Sequence, residues 1–463
     1  MPAIRLAELD LPDFGMPSTR PKLPDGTHQA RFDAFVDRVR EAGLDAALVY
    51  ADREHFANMA YLTDFEPRFE EALLLIVPGR TPLLLTGPEN TGLARDCAIQ
   101  PEVITYPPFG LLGQDRSRTP KLSDLLAAHG LARGQKVGAA GWKYFGAQEH
   151  DAPDLWSELP SFIIDTVRRT VGDEGRVVNV NALLMAPTGG LRATNELEQL
   201  AQFEFAACHA SEAVKRVVFG IRPGMREFEA AQLMRLPGIP ASCHPMLSSG
   251  ARAYQGLNSP SDKVIERGDP FTTAVGLWGA LTSRAGFLVE DGSEIAGAPD
   301  YVEKLAAPYF ACAAEWYETI GIGIEGGTLD AVARKHLGDS FFNLVLNPGH
   351  LIHLDEWMST PVYPGSTERF VTRQAVQCDI IPATGTAWYT SNIEDGIALL
   401  DEADRRTFAE RFPEAWTRIE ARRAFMADAL GIRPKPEVLP FSNIPAYLPP
   451  LLLSPKRAMT KRG

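Results

Sequence analysis

The chain has 463 residues, room for two or three domains with cores of their own, and its 45% hydrophobic and 23% charged residues exclude a disordered or fibrous protein. Lys and Arg number 46 against 59 Asp and Glu, a net charge of −13, so the basic footprint that nucleic acid or an anionic membrane surface would need is missing. Five widely spaced cysteines, Cys97, Cys208, Cys243, Cys312 and Cys378, form no CxxC pair and read as buried thiols of a reducing compartment. The opening MPAIRLAELDLPDFG has acids and prolines where a signal peptide needs a basic and then an apolar run, and no apolar stretch nears the roughly 20 residues of a membrane span. A cytoplasmic protein is expected.

Residues 1–25 are proline-rich and aperiodic, and read as an extended arm ordered only against the body or a partner. From Arg31, RFDAFVDRVREAGLDAALVY sets Phe32, Phe35, Val36 and Val39 on one helical stripe, breaks at Gly43, and enters a strand at Ala46–Tyr50. Apolar runs at 72–77, 82–85 and 136–140 alternate with helical stretches such as 121–129, as in a three-layer α/β domain spanning 26–185. The loop APTGGLRAT then leads into NELEQLAQFEFAACHASEAVKRVVFGI, where Asn195 is placed to cap a long helix with Glu198 at the capping-box position. A Gly-led turn, RPGMREFEAAQLM, starts a further helix, and strand formers follow at 271–275, 286–289 and 375–382. Helices and strands segregate, which predicts an α+β domain over 186–430. Residues 431–463 are proline-dense and read as an extended tail laid across the surface.

The phrases GLDAALVY and ANMAYLTDF resemble the amino-terminal domain shared by creatinase, prolidase and aminopeptidase P. The resemblance continues through IRPGMREFEAAQL, the hairpin segment ERGDPFTTAVGLWGALTSRAG, the loop NPGHLIHLDEW and SNIEDGIALLDEADR, and so covers about residues 31–425. It implies an α/β amino-terminal domain followed by an α+β pita-bread domain, usually in a homodimer, and a hydrolase of this superfamily. In the family two divalent ions are held by two Asp, one His and two Glu, hard or borderline donors suited to a pair of ions that activate a water. By the same resemblance the first Asp position holds Ala274 and the second holds Ser283, with Arg284 beside it. His350 matches the ligand histidine, His353 stands for the substrate-facing histidine, and Glu394, followed by Asp395, matches the last Glu. Asp379 in AVQCDIIP is the available fourth ligand, one position out of register, which on a strand reverses the face.

The resemblance therefore implies that the dinuclear site is lost, with no cofactor required although a single divalent metal stays open. Metal-free hydrolysis of a C–N bond in a small polar substrate or short peptide becomes the first expectation, as creatinase achieves on this fold. Creatinase itself is disfavoured, because the loop YQGLNSPSD carries Leu257 or Asn258 where creatinase has its catalytic histidine. His350 and His353 are candidate proton shuttles, with Asp355, Glu356 and Glu394 as acid partners. Glu394 and Asp379, buried together without metal, would share a proton and supply a general acid. Arg284 is a candidate substrate anchor in place of the metal, and Arg68 a candidate carboxylate binder. Tyr254, Trp278, Trp357 and Trp388 are candidate aromatic linings, Glu356 and Trp357 falling in the LDEW phrase, whereas His244 reads as a core histidine. Three alternatives stand beside this reading: a metal-dependent Xaa-Pro peptidase with a rearranged site, a lyase for a betaine-like substrate, and a non-catalytic binding protein.

Overall fold

The computed structural model describes residues 4–254, 256–356 and 358–462. The chain forms two compact units, one made of residues 23–193 and the other of residues 1–22 with 194–463. An opening strand, β1 (Arg5–Glu8), belongs to the second of these.

In the smaller unit a helix, α1 (Thr27–Glu41), precedes β2 (Ala46–Ala51), and β3 (Ala72–Ile76), β4 (Leu83–Thr86), β5 (Glu102–Thr105), β6 (Lys136–Ala140) and β7 (Arg176–Asn179) follow. They form a mixed six-stranded sheet of order β5-β4-β3-β2-β6-β7. The central strand β2 is buried on both faces, as its unbroken AALVYA run requires, and pairs antiparallel with β3 and parallel with β6. Helix α2 (Ser161–Val171) turns Ile163, Ile164 and Val167 onto the core that Leu48, Leu73 and Val137 build. The unit ends at 193 rather than the expected 185 because the loop folds back on it. Leu191 and Arg192 donate backbone N–H groups to Leu183 and Leu184, and Arg192 Nη1 reaches Asn58 Oδ1 at 2.8 Å.

The larger unit opens on the long helix α3 (Leu197–Gly220). Asn195 is not its cap: Glu196 occupies that position without a side-chain bond, and Asn195 Nδ2 donates to the Arg373 carbonyl at 3.0 Å. Strands β8 (Met246–Ser249), β9 (Pro270–Leu277) and β10 (Ala280–Phe287) follow, then helix α4 (Ala307–Thr319), then β11 (His350–Leu351), β12 (Gln374–Asp379) and β13 (Ile393–Leu399). After helix α5 (Pro413–Phe425) come β14 (Val438–Pro440) and β15 (Arg457–Thr460). The sheet is antiparallel, of order β11-β12-β13-β10-β9-β8, with β14 also paired to β13. β10 begins at Ala280, earlier than the expected 286–289, because the hairpin turns at Trp278-Gly279, where φ is +87° and any Cβ would overlap the Phe203 ring of α3.

The opening arm is ordered against the body, as expected, whereas the end of the chain is not a surface tail. β1 and β15 form a two-stranded antiparallel ribbon, and the arm is further tied by Gln202 Nε2 to the Pro21 carbonyl at 2.8 Å. The segment after Leu430 is interior: Leu439, Ile444, Tyr447, Leu448 and Leu451 are all buried. Prolines there cannot donate to a ladder and leave carbonyls unpaired, and arginines take them up. Arg423 Nη1 donates to the Lys435 carbonyl at 2.9 Å, and Arg284 serves the stretch 444–447. All five cysteines are free, four of them buried. Among the described residues no helix is long and apolar enough to cross a membrane.

Candidate active site

Strand registry lines up five residues from five strands across one face of the large sheet. Met246 lies opposite Ala274, Ala274 opposite Ser283, Ser283 opposite Glu394, and Glu394 opposite Asp379. The row runs from apolar to acidic. His350 joins at the acidic end, on the short edge strand β11 opposite Gln377, two positions along β12 from Asp379. Asp379 therefore faces the same way as Glu394, and the expected register error does not arise.

One ligand atom each from His350, Asp379 and Glu394 lies within 4.8 Å of the others, and all three residues are buried. His350 Nε2 stands 3.3 Å from Glu356 Oε1, 3.7 Å from Glu394 Oε1 and 3.8 Å from Asp379 Oδ2. Its Nδ1 lies 3.1 Å from the Leu351 carbonyl, a bond that puts the proton on Nδ1 and leaves Nε2 to exchange one with the carboxylates. Burial alone would push His350 down, but Glu356, and after it Glu394 and Asp379, outweigh that and hold it well above the usual histidine range. Burial raises Asp379 to about 7, helped by Glu356 and opposed by His350. Burial and then the Asp379 charge hold Glu394 well above the carboxylate range. The cluster thus stores protons at neutral pH: an imidazolium and a shared carboxyl proton.

These groups form the floor of a cavity of about 780 Å³. Its walls are largely apolar, from Met246, Leu257, Leu281, Val345, Leu346 and Ile381, with Thr390, Asn392 and Ser359 as polar points. Asn392 went unnoticed in the sequence, although its place two residues before Glu394 on one face could have been read from strand alternation. Cys243 and Ser359 carried no signal.

Several expected site residues are elsewhere. Arg284 alternates with Ser283 and so points to the opposite face of the sheet. It is 1% exposed and pairs with Asp395 Oδ2 at 2.7 Å, donating also to the carbonyls of Tyr447, Ser283 and Ile444. It is a clamp for the terminal segment and not a substrate anchor. His353 is fully buried, edge-on to Phe203 at 5.3 Å, and forms no part of the cavity wall. Tyr254 also stands outside the wall, its hydroxyl donating to the Ala383 carbonyl at 3.2 Å. Arg68 sits in the smaller unit, where its Nε meets Glu66 Oε1 at 2.7 Å and its guanidinium covers the Phe56 ring at 4.3 Å. Trp388 Nε1 bonds Asp300 at 2.9 Å, and neither it nor Trp278 lines the cavity. Trp357 lies outside the described residues. His244, expected in the core, is exposed on the wall with Nε2 2.9 Å from the Leu257 carbonyl. Glu356 is on the wall, as expected of a site acid.

The donor set can be tested against the metals this fold implies. Ala274 has no donor and Ser283 only a hydroxyl, and among the described residues His350, Asp379 and Glu394 are the cluster of side chains that could hold a metal. These three residues fit one ion, and their two orphaned oxygens, Asp379 Oδ1 and Glu394 Oε1, are buried atoms of a kind that a cation or a shared proton satisfies. The raised Asp379 predicts a stability signature in protein stripped of metal. A carboxyl held above its unfolded pKa weakens folding as pH rises from the unfolded value toward about 7, where the penalty levels off. Asp379→Asn removes that penalty, so it should raise thermal stability more at pH 8 than at pH 5, by about 2 kcal/mol from the roughly 1.4 kcal/mol per pH unit of linkage. Equal gains at both pH values in thermal melts would show that Asp379 ionises normally.

Residues 31–144 match the Creatinase/Prolidase N-terminal domain family. The prolidase from Pyrococcus horikoshii OT3 is 17% identical, with a TM-score of 0.61, over 80% of this chain and 95% of its own. The Xaa-Pro dipeptidase from Bacillus anthracis is 18% identical, with a TM-score of 0.59, over 81% of this chain and 96% of its own. A prolidase from Thermococcus sibiricus gives 17% identity and a TM-score of 0.62 over 81% of this chain and 95% of its own. No curated protein matches by sequence. The chain thus carries the α/β and pita-bread fold of these solved prolidases and dipeptidases, and residues 31–144 match the Creatinase/Prolidase N-terminal domain family.

Proposed function

We propose that this chain is a hydrolase of the creatinase, prolidase and aminopeptidase P superfamily which cleaves a C–N bond in a short peptide or small amide by acid–base chemistry, without a co-catalytic metal pair. The observation that carries the reading is the His350 imidazole held by three carboxylates on the floor of the large cavity, while Ala274 and Ser283, in the same row across the sheet, offer no carboxylate. In this reading Glu356 takes a proton from water as the oxygen attacks the substrate carbonyl. His350 passes its Nε2 proton to the departing nitrogen, and Glu356 returns the captured proton to His350, so the cycle closes with one water consumed. The protonated partner in the Asp379 and Glu394 pair keeps two anions from facing the developing oxyanion. A homodimer and a cytoplasmic location belong to the same proposal.

A second reading has its own observation: the three ligand atoms within 4.8 Å, which suit one divalent ion on His350, Asp379 and Glu394. When bound, such an ion supplies Lewis acidity at the carbonyl and a more acidic water. Metal analysis by plasma mass spectrometry, on protein purified without chelator and dialysed against Mn, Co and Zn in turn, separates the two. Near zero ions per chain with retained amide hydrolysis is the expected result. One ion, needed for turnover, would favour the second reading. Two ions per chain would overturn both, and tight ligand binding with no turnover would leave a binding protein.

A further inference from the structure

We infer that the cavity takes short peptides or amides with a bulky apolar side chain beside the scissile bond and an uncharged amide, not a free carboxylate, at the end it encloses. This deepens the hydrolase reading above and rests on it for turnover, though not for binding.

Charge and wall chemistry carry the argument. Among the described residues the wall contains no Lys or Arg, and the remaining candidate for its cation, Arg284, is on the far face of the sheet with Asp395. The wall does contain three carboxylates, Glu356, Asp379 and Glu394, against two imidazoles: His350, which already lies within 3.8 Å of all three, and His244, whose Nε2 meets the Leu257 carbonyl at 2.9 Å. A substrate carboxylate placed beside them adds a further anion to an acidic cluster with no Lys or Arg to replace its water, which is the arrangement that recognition sites avoid. A terminal amide has no such charge, and its N–H groups meet acceptors on the floor, including the orphaned Asp379 Oδ1 and Glu394 Oε1 and the Asn392 Oδ1. The rest of the wall asks for apolar surface. Leu257, Val345 and Leu346 line the cavity while 61%, 44% and 45% exposed, three large side chains in one place that a substrate's apolar group would cover. A dipeptidase substrate ends in a carboxylate by definition, so this cavity departs from the dipeptidases whose fold it has.

The test uses the full chain and three compounds: Phe-Ala amide, Phe-Ala and Gly-Gly amide. The expected result is kcat/KM for Phe-Ala amide at least about tenfold above each of the other two, the size that one misplaced charge or one lost apolar group produces. Calorimetric binding of the same compounds with an N-methylated scissile bond should follow the same order. Equal turnover of Phe-Ala and its amide would overturn the inference and leave the hydrolase reading standing. Tighter binding of the amide with no turnover of any compound would sustain the inference and sink the hydrolase reading. No preference in binding and no turnover would overturn the inference. Leu346→Arg, at an exposed wall position, should bring the amide-to-acid ratio down by about tenfold, with Val345→Lys as the parallel variant if the first does not fold. A ratio unmoved in a folded variant counts against the inference.

Discussion

Replacing His350 with glutamine should lower kcat/KM for amide hydrolysis by about 10²–10⁴, the usual contribution of a positioned proton-transfer group, while leaving the circular dichroism spectrum unchanged. Glutamine keeps most of the volume and a donor toward the Leu351 carbonyl but cannot carry a transferable proton. The companion variant, Glu356→Gln, gives the sign of the electrostatics. Glu356 is the strongest of the groups that lift His350 above its ordinary pKa, so removing its charge lets burial pull the imidazole down. The imidazolium is then lost at lower pH, and the basic limb of the pH–rate profile should move toward acid. A fall in rate with no movement of that limb would mean that Glu356 acts on the substrate alone. A His350→Gln protein that retains more than about a tenth of wild-type kcat/KM would remove His350 from the proposed chemistry.

The second large effect is on stability and concerns the back of the same sheet. Arg284→Met leaves Asp395 buried without its partner and frees the carbonyls of Tyr447 and Ile444, so unfolding should become easier by about 3–5 kcal/mol, the cost of breaking a buried pair from one side. At roughly 2–4 °C per kcal/mol for a unit of this size, the melting temperature should fall by about 10 °C. The double variant Arg284→Met with Asp395→Leu should lose less than the two single losses added together, because the uncompensated charge is gone. Recovery should stay incomplete, since Asp395 Oδ2 also accepts the Ala446 N–H at 2.9 Å. If Arg284→Met instead melts like the wild type but binds substrate weakly, the clamp assignment is wrong and the anchor role returns.

Arg284 also marks where sequence reading stops. Elements with strong periodicity were legible: β2 and β6 fall within a residue of the expected spans, and α1 ends before Gly43 as expected although it begins four residues ahead of Arg31, because their apolar stripes are decided locally. The order of phrases along the chain conveyed the fold and placed His350, Glu356 and Glu394 together, whereas Asp379 was expected one position out of register. Which face a strand residue takes depends on registry between strands far apart in the chain, and a one-residue slip inverts it. Aligning TSRAG to a ligand position therefore put Arg284 beside Ser283 in sequence without revealing that the two point to opposite faces. The same limit explains His353 and Tyr254, which look placed for chemistry in a line of letters but are turned away by the loop after β11 and the turn after β8. The tail failed for a different reason. Its prolines signal irregular backbone, and irregular backbone is usually superficial, yet here three arginine side chains, one from β10 and two from α5, satisfy its carbonyls and allow it inside.

The ribbon of β1 and β15 has a bearing on how the molecule is made. Arg5 pairs with Thr460, and the β14 segment completes a sheet whose other strands emerged long before it. The unit of residues 23–193 is contiguous and can fold on a ribosome as soon as it clears the exit tunnel. The other unit draws on residues before and after that stretch, so its first strand must wait, unpaired, until residues 457–460 have been added. At ribosomal speeds residues 194–460 take on the order of tens of seconds to appear, and throughout that interval the Arg5–Glu8 edge lies open to chaperones or to other nascent chains.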